Sequence, residues 1–325
     1  MTDFVAAVSI SGRDLLAGEY HVAYRLQMEP APSDLETLAR QLERAPDYRV
    51  LRRVAPLATR PVPDGLQTRQ GLFVDVETTG LDPIADEIIE LAMLPFTYGL
   101  DGEIYAVHPP FSRLREPGRP IPPEVTRLTG IDDAMVAGQR LEPDEVAEFI
   151  APAALILAHN AAFDRLFLEA FCEAFAAKPW GCSLAQVPWA DEGFEGGKLG
   201  HLLMQAGRFF DGHRAVHDCE AAVELLSLPL PRSGRPGLLP LLEAARMRGR
   251  RVWAVQAPFE ARARLKARGY RWNDGENGRP RAWHVDVEDA AVAAELAFLK
   301  AEIYGRETEI LTTPVTPYNR FSARI

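Results

Sequence analysis

A chain of 325 residues, 47% hydrophobic and 25% charged, has an ordinary globular composition and is long enough for one large domain plus something smaller. Its net charge of −10 excludes a protein that grips nucleic acid by bulk electrostatics alone, and no apolar run approaches the roughly 20 residues that a membrane span needs. Met1 to Tyr20 lacks the order of a signal peptide, and three scattered cysteines, Cys172, Cys182 and Cys219, with no tight metal-type pair, point to reduced thiols in a cytoplasmic protein.

In chain order, residues 1–68 form an appendage and linker. Leu35, Leu38, Ala39, Leu42 and Ala45 recur at helical spacing behind Ser33-Asp34, a candidate N-cap. Asp47 to Val54 reads as a short strand or second helix, and Pro56, Pro61, Pro63 and Gly65 mark a linker. The appendage reads either as a helix packed on the main domain or as a separate wing for DNA or a partner. The main domain is expected over 69–230. Leu72 to Val76, Ile88 to Thr97 and Ile104 to His108 are strands, the last two joined by the turn Gly99-Leu100-Asp101-Gly102. Pro122–Leu128 and Pro143–Ile150 are helical, Ala154–Ala158 is a buried strand, and Phe163–Phe175, Lys198–Ala206 and Ala215–Leu226 are further helices. Strands first, then helices alternating with strands, predict an α/β mixed sheet flanked by helices. Pro229 to Pro240 is a Pro/Gly-rich break. A small basic α+β module follows over 241–325: strand Val252–Val255, basic helix Glu260–Arg268, a hairpin from Tyr270-Arg271-Trp272 to Arg281–Val285, helix Glu288–Ile303, and an irregular end from Leu311 to Ile325.

The chemistry concentrates at Gly71-Leu72-Phe73-Val74-Asp75-Val76-Glu77-Thr78-Thr79-Gly80. A strand has period two, so Asp75 and Glu77 leave the same face. Two carboxylates on one face repel unless a cation lies between them, and Mg²⁺ or Mn²⁺ is a natural partner. Taken alone, the pair reads equally as a strand ending in a solvated acidic turn. Further on come His159-Asn160-Ala161-Ala162-Phe163-Asp164, with Asp164 at a helix start, and His213-Arg214-Ala215-Val216-His217-Asp218, with Asp218 early in the next helix.

Asp-x-Glu-Thr-Thr-Gly at 75–80, Asn-x-x-Phe-Asp at 160–164 and His-x-x-x-x-Asp at 213–218 resemble the three exonuclease motifs of the DEDD superfamily. The likeness is to its DEDDh, DnaQ-like branch, which includes the epsilon proofreading subunit of bacterial DNA polymerase III. It covers roughly residues 70–228. The resemblance implies a ribonuclease H-like fold and a two-metal 3′–5′ exonuclease. Asp75, Glu77 and Asp218 would hold one Mg²⁺ or Mn²⁺, Asp75 would bridge to a second, and Asp164 would support that one. The family's spacing selects His213, not His217, as the base that activates water, and histidine has the right unperturbed pKa for it. His159 reads as a loop or supporting residue. The resemblance also implies that Thr78, Thr79, Gly80 and Leu81 cradle the 3′-terminal nucleotide and that Asn160 and Phe163 position the strand. Homodimers occur in the family.

The flanks add two readings. Leu225-Leu226-Ser227-Leu228-Pro229-Leu230 is similar to the hexapeptide with which bacterial replication proteins bind the sliding clamp, though Leu225 replaces the leading Gln; it reads equally as a helix end running into a linker. Arg246, Arg248, Arg250, Arg251, Arg262, Arg264, Lys266, Arg268 and Arg271 face a single acid, Glu260, between 246 and 271. Tyr270-Arg271-Trp272 and Arg281-Ala282-Trp283 resemble small modules appended to nucleic-acid enzymes. Trp272 and Trp283 serve as the module's core, as base-stacking surfaces, or as both. The expected activity is 3′–5′ hydrolysis of single-stranded or frayed DNA; the alternatives are a 3′–5′ exoribonuclease and a non-catalytic nucleic-acid or clamp-binding protein.

Overall fold

The computed structural model describes residues 32–325 except Asn277. The segment Met1 to Tyr20 therefore lies outside the described residues. The described residues fall into two compact units, 32–50 and Leu51–Ile325. The described part of the first contains helix α1 (Pro32–Glu43), on which Leu35 and Leu38 are each 52% exposed.

The larger unit begins with β1 (Arg52–Arg53). The central strands are β2 (Thr68–Thr78), β3 (Ile88–Gly99), β4 (Ile104–Val107) and β5 (Phe111–Leu114). Three short helices follow, α2 (Pro123–Thr129), α3 (Asp133–Val136) and α4 (Pro143–Ile150), then β6 (Leu155–Ala158), α5 (Ala161–Phe171), β7 (Trp180–Cys182) and α6 (Ser183–Gln186). After α7 (Leu199–Gln205), β8 (Arg208–Phe209) pairs in parallel with β1, and α8 (Ala215–Ser227) and α9 (Leu238–Arg246) close this part. The sheet runs β4-β3-β2-β6-β7, with β5 also on β3. β2, β3, β4 and β5 pair antiparallel, whereas β6 and β7 join in parallel. This is the mixed, helix-flanked, ribonuclease H-like sheet expected from the sequence.

Strand parity builds both faces. Leu72, Val74, Val76, Leu91 and Met93 pack with Ile156, Val146 and Ile150 of α4, and Leu168 of α5. Phe73, Ala92, Leu94 and Phe96 pack on the other face with Leu202 of α7, Cys219 and Leu226 of α8, and Leu241 of α9. Asp75 and Glu77 continue the parity of Phe73, so they leave β2 on the α8 face.

Several local expectations change. The helix expected over 163–175 stops at Phe171, because Cys172 is extended (φ −141°), and resumes as a 3₁₀ turn. Residues 51–68 lie with the main core through Val54 and Leu57. The Pro/Gly-rich break ends in α9, whose Leu238, Leu241, Leu242 and Ala245 belong to the main core, so the small sheet starts later, at Gly249. In the clamp-like hexapeptide, Leu225, Leu226 and Leu230 are buried in that same core at 3% exposure or less, whereas Ser227 and Leu228 are half-buried and Pro229 is exposed.

The small module is a four-stranded antiparallel sheet, β10-β11-β9-β12, built from β9 (Gly249–Val255), β10 (Arg271–Asn273), β11 (Ala282–Glu288) and β12 (Thr312–Val315). Helices α10 (Arg262–Ala267) and α11 (Val292–Phe298) contribute Leu265 and Leu296 to its own core, beside Val252, Ala254 and Tyr270. Beyond β12 the chain returns to the main sheet. Pro317 accepts from the Trp180 amide at 2.9 Å, and the buried Arg165 guanidinium donates to the carbonyls of Tyr318 at 2.6 Å and Arg320 at 2.7 Å. The end read as irregular is thus a tie across α5.

Candidate active site

Three elements converge at the end of β2. Asp75 and Glu77 point from β2 toward α8, and Asp218 comes from the first turn of α8 to meet them. One carboxylate oxygen from each lies within 4.8 Å of the others. β2 carries a register shift between Glu77 and Thr78, which re-aims the chain where the carboxylates end and the Thr78–Gly80 turn starts. Asp164, buried in the first turn of α5, accepts from the Val76 amide at 3.3 Å and so is tied to the strand residue between the two acids. Asp218 accepts from the Arg214 amide at 3.2 Å.

All four carboxyls are pushed up. Burial raises Asp75 well above the ordinary carboxylate range, and Asp164, Asp218, Glu77 and Glu90 add repulsion. Burial, then Asp218 and Glu90, raises Glu77 to about 8. Burial raises Asp164 to about 7 and also raises Asp218, the latter against the opposing pull of His213 and two backbone amides. Four acids held together against their own repulsion form a hard, all-oxygen donor set. That set fits divalent Mg²⁺ or Mn²⁺, whose charge offsets the repulsion that burial has made expensive.

The turn after the strand is internally braced. The Thr78 hydroxyl donates to the Gly80 carbonyl at 2.6 Å, and the Thr79 hydroxyl accepts from the Glu87 amide at 3.0 Å. A side chain at Gly80 would place its Cβ 2.3 Å from the Asp86 carboxylate, which would have to move aside. Leu81 projects from this turn, 84% exposed. Asn160, exposed, precedes α5 without capping it, and Phe163 rests against Phe167 at 4.9 Å.

The histidines separate cleanly. His213 is exposed, makes no side-chain hydrogen bond among the described residues, and has φ +64°, a backbone conformation that costs a non-glycine residue about 1–2 kcal/mol. His217 donates from Nδ1 to the Asp211 carbonyl at 3.1 Å and secures the loop before it. His159 donates from Nε2 to the Gly197 carbonyl at 2.7 Å, which leaves Nδ1 to accept from the Ser183 hydroxyl at 2.9 Å. Burial lowers its pKa, in keeping with this neutral bracing role.

Sequence reasoning missed Glu90 and Arg214. Glu90 lies on β3 directly opposite Glu77, 1% exposed, and its carboxylate is clasped by Arg214 from Nε and from Nη2, the latter at 2.9 Å. It also accepts from the Ala215 amide at 3.0 Å. The pair pins Arg214 and Ala215, the two residues directly after His213, and so fixes the chain between His213 and Asp218. The available signal was an acid inside an otherwise apolar strand, on the same face as Ala92 and Leu94. Glu90→Ala is expected to lower kcat by roughly 10²-fold with KM changed by less than threefold, because the loop loses its anchor while the substrate contacts remain. Steady-state kinetics on an oligonucleotide would check it, and an unchanged kcat would remove the positioning role.

A sequence profile of the exonuclease family, RNase T type, matches residues 72–226, the segment that contains all four acids and His213. The DNA polymerase III subunit epsilon of Treponema pallidum is 31% identical over 162 residues, covering 47% of this chain and 73% of that protein. The PolC-type DNA polymerase III of Halalkalibacterium halodurans is 33% identical over 184 residues, covering 53% of this chain. The chain spans only 12% of that polymerase and 7% of the Latilactobacillus sakei one. A solved structure of exonuclease X with 5′-overhanging duplex DNA is similar at 24% identity over 54% of this chain and 99% of that one, with a TM-score of 0.40. Identity over most of the length of an epsilon subunit, together with the matched exonuclease segment, places the chain in the DnaQ-like 3′–5′ exonuclease family.

Proposed function

We propose that the protein hydrolyses phosphodiester bonds one nucleotide at a time from the 3′ end of single-stranded or frayed DNA, with the residue set of the DEDDh branch. The observation that carries this is the convergence of Asp75, Glu77 and Asp218 within 4.8 Å, with Asp164 buried beside them. Asp75, Glu77 and Asp218 would hold one divalent cation; Asp75 and Asp164 would serve a second. The ions supply charge stabilisation for the attacking and leaving oxygens of an in-line displacement. The chain's own residues do the rest. His213 lies on the exposed turn ahead of α8 and takes the proton from the attacking water; its unpaired ring is free to do so. The braced Thr78–Gly80 turn brings its backbone against the terminal nucleotide, and Leu81, exposed beside it, packs on the base. Asn160, not engaged in capping, and Phe163, steadied by Phe167, position the strand.

With Mg²⁺ or Mn²⁺, a 5′-labelled single-stranded DNA is expected to give a ladder shortening from the 3′ end. EDTA should abolish it, and His213→Ala should slow it by about 10²–10⁴-fold. A ladder on matched RNA but not on DNA would move the assignment to an exoribonuclease. No ladder on either, with folded protein and metal present, would end the proposal.

A further inference from the structure

The charge of this chain is unevenly placed. Residues 246–285 hold eleven arginines and lysines against three acids, in a chain whose net charge is −10. Part of that positive charge is spoken for inside the module. Arg251 pairs with Asp286 at 2.7 Å, Arg268 with Glu295 at 2.9 Å and Arg264 with Glu302 at 3.3 Å. Arg262, Lys266, Arg271 and Arg281 are exposed and have no carboxylate partner among the described residues. All four fall on α10, on edge strand β10 or at the start of β11. Lysines and arginines without partners are common on surfaces, so the charge alone decides nothing. The aromatic residues among them are the second observation.

Trp272 and Trp283 are partners in the β10–β11 register, with ring centroids 5.7 Å apart and planes at 63°. Trp283 packs into the module's core, whereas Trp272, on the free edge of the sheet, is 50% exposed. Its orientation is fixed from one side by Trp283, so its other side is a rigid apolar surface. Phe259, one turn ahead of α10, is 80% exposed. An exposed aromatic held from one side, with a second exposed ring and unpaired guanidinium and ammonium groups on the neighbouring elements, suits one chemistry above others: bases stack on the rings while the cations meet the phosphates. The charge complementarity is with a polyanion. The two roles weighed for the tryptophans divide between them, Trp283 to the core and Trp272 to the surface.

We propose that the α10–β10 edge of the small module is a second contact for single-stranded nucleic acid, with Trp272 and Phe259 stacking bases and Arg262, Lys266, Arg271 and Arg281 holding the backbone. The proposal deepens the exonuclease reading and rests on it for the identity of the ligand, but binding can be measured separately from cleavage. It also answers a difficulty raised by composition. The catalytic carboxylates repel phosphate, so the grip on the strand is supplied from elsewhere on the chain.

The test is fluorescence anisotropy with a 5′-labelled thirty-nucleotide oligo-dT, using the full chain with EDTA present to prevent cleavage. Trp272→Ala is expected to raise Kd roughly tenfold, the loss of one stacked base, and Trp272→Phe to recover most of it. The triple variant Arg262→Glu, Lys266→Glu, Arg271→Glu is expected to raise Kd further and to reduce the slope of log K against log salt by about 2, near 0.7 for each lost phosphate contact. Hydrolysis of the p-nitrophenyl ester of thymidine 5′-monophosphate, too small to span two sites, is expected to match the parent in both variants. Kd within twofold of the parent in both variants would overturn the proposal. Polyglutamate competing as well as unlabelled oligo-dT would overturn it too, and would assign the surface to an acidic protein. Failure of the parent chain to cleave the ester or any oligonucleotide would count against the exonuclease mechanism alone, since the anisotropy result stands without it.

Discussion

Asp75→Asn is expected to lower phosphodiester hydrolysis by at least about 10³-fold while making the metal-free protein more stable at pH 8. The first effect follows from position. Asp75 belongs to the Asp75, Glu77 and Asp218 cluster and is also repelled by Asp164, so in the proposed arrangement it is the carboxylate that both cation positions would share. The second follows from linkage. Asp75 and Glu77 have folded-state pKa values raised above their unfolded ones, Glu77 to about 8. The folded state therefore binds more protons than the unfolded chain between about pH 4 and pH 8, and stability falls as pH rises through that window. In EDTA, the parent's melting temperature should drop between pH 5 and pH 8, and Asp75→Asn should recover about 1.5–3 °C of it at pH 8, roughly 1–2 kcal/mol for a chain of this size. Mg²⁺ or Mn²⁺ should stabilise the parent at pH 8 and the variant much less. Differential scanning fluorimetry at two pH values, with and without metal, reads all of this. A variant that keeps more than a tenth of parental activity would remove Asp75 from the catalytic set. A variant that melts lower in EDTA at pH 8 would show that its charge is not the liability the burial implies.

The second large effect concerns stability. Arg165 is fully buried, with its guanidinium over the Trp180 ring at 5.2 Å, and burial lowers its pKa only to about 10, so it stays charged at neutral pH. It donates to Glu169 at 2.7 Å and to the carbonyls of Tyr318 and Arg320. Glu169 is held in turn by the Ser322 hydroxyl at 2.5 Å and by Arg324 at 3.0 Å. Arg320 reaches the carbonyls of Ala244 and Met247 at the end of α9. Removing residues 316–325 strips a buried cation of two acceptors at once. Breaking such a buried set costs about 3–5 kcal/mol, so the melting temperature should fall by about 4–7 °C. Arg165→Met in the shortened chain should restore part of the loss, because it removes the orphaned charge. A shortened chain that melts within about 2 °C of the parent would show that the tie carries no stability. Because Arg165 follows Asp164 in α5, its loosening should also reach the active site, and activity is expected to fall at temperatures well below the new melting point.

What could be read from the sequence, and what could not, divides along one physical line. Asp75, Glu77, Asp164 and Asp218 each lie at a strand end or in a first helical turn, and those positions are marked by apolar periodicity and by side-chain type, both of which the sequence carries. The basic hairpin around Trp272 and Trp283 was legible for the same reason, since its register follows alternation. Contacts made through the backbone left no such mark. The tail holds Arg165 by carbonyl oxygens, which every residue has, so Leu311 to Ile325 read as irregular. The three-residue strand Trp180–Cys182 is too short for a period to show, and α9 was hidden by Pro240 inside it. The break at Cys172 has no proline or glycine to announce it. Glu90 stands out as an acid in an apolar strand, but its pairing with Arg214 depends on register across the sheet and on the turn before α8, and no local pattern in the sequence sets that pairing.

The tie across α5 has a consequence for assembly. Arg165 and Arg320 stand 155 positions apart, so the helix that carries Asp164 cannot complete its polar contacts while the ribosome is still making the small module. Until then α5 holds a cation with two of its acceptors not yet synthesised. Asp164 next to it is already tied to β2 through the Val76 amide, but the helix that carries it is braced from its far side only when nearly the whole chain has emerged, and cleaving activity on the nascent chain should lag behind the synthesis of the central sheet itself.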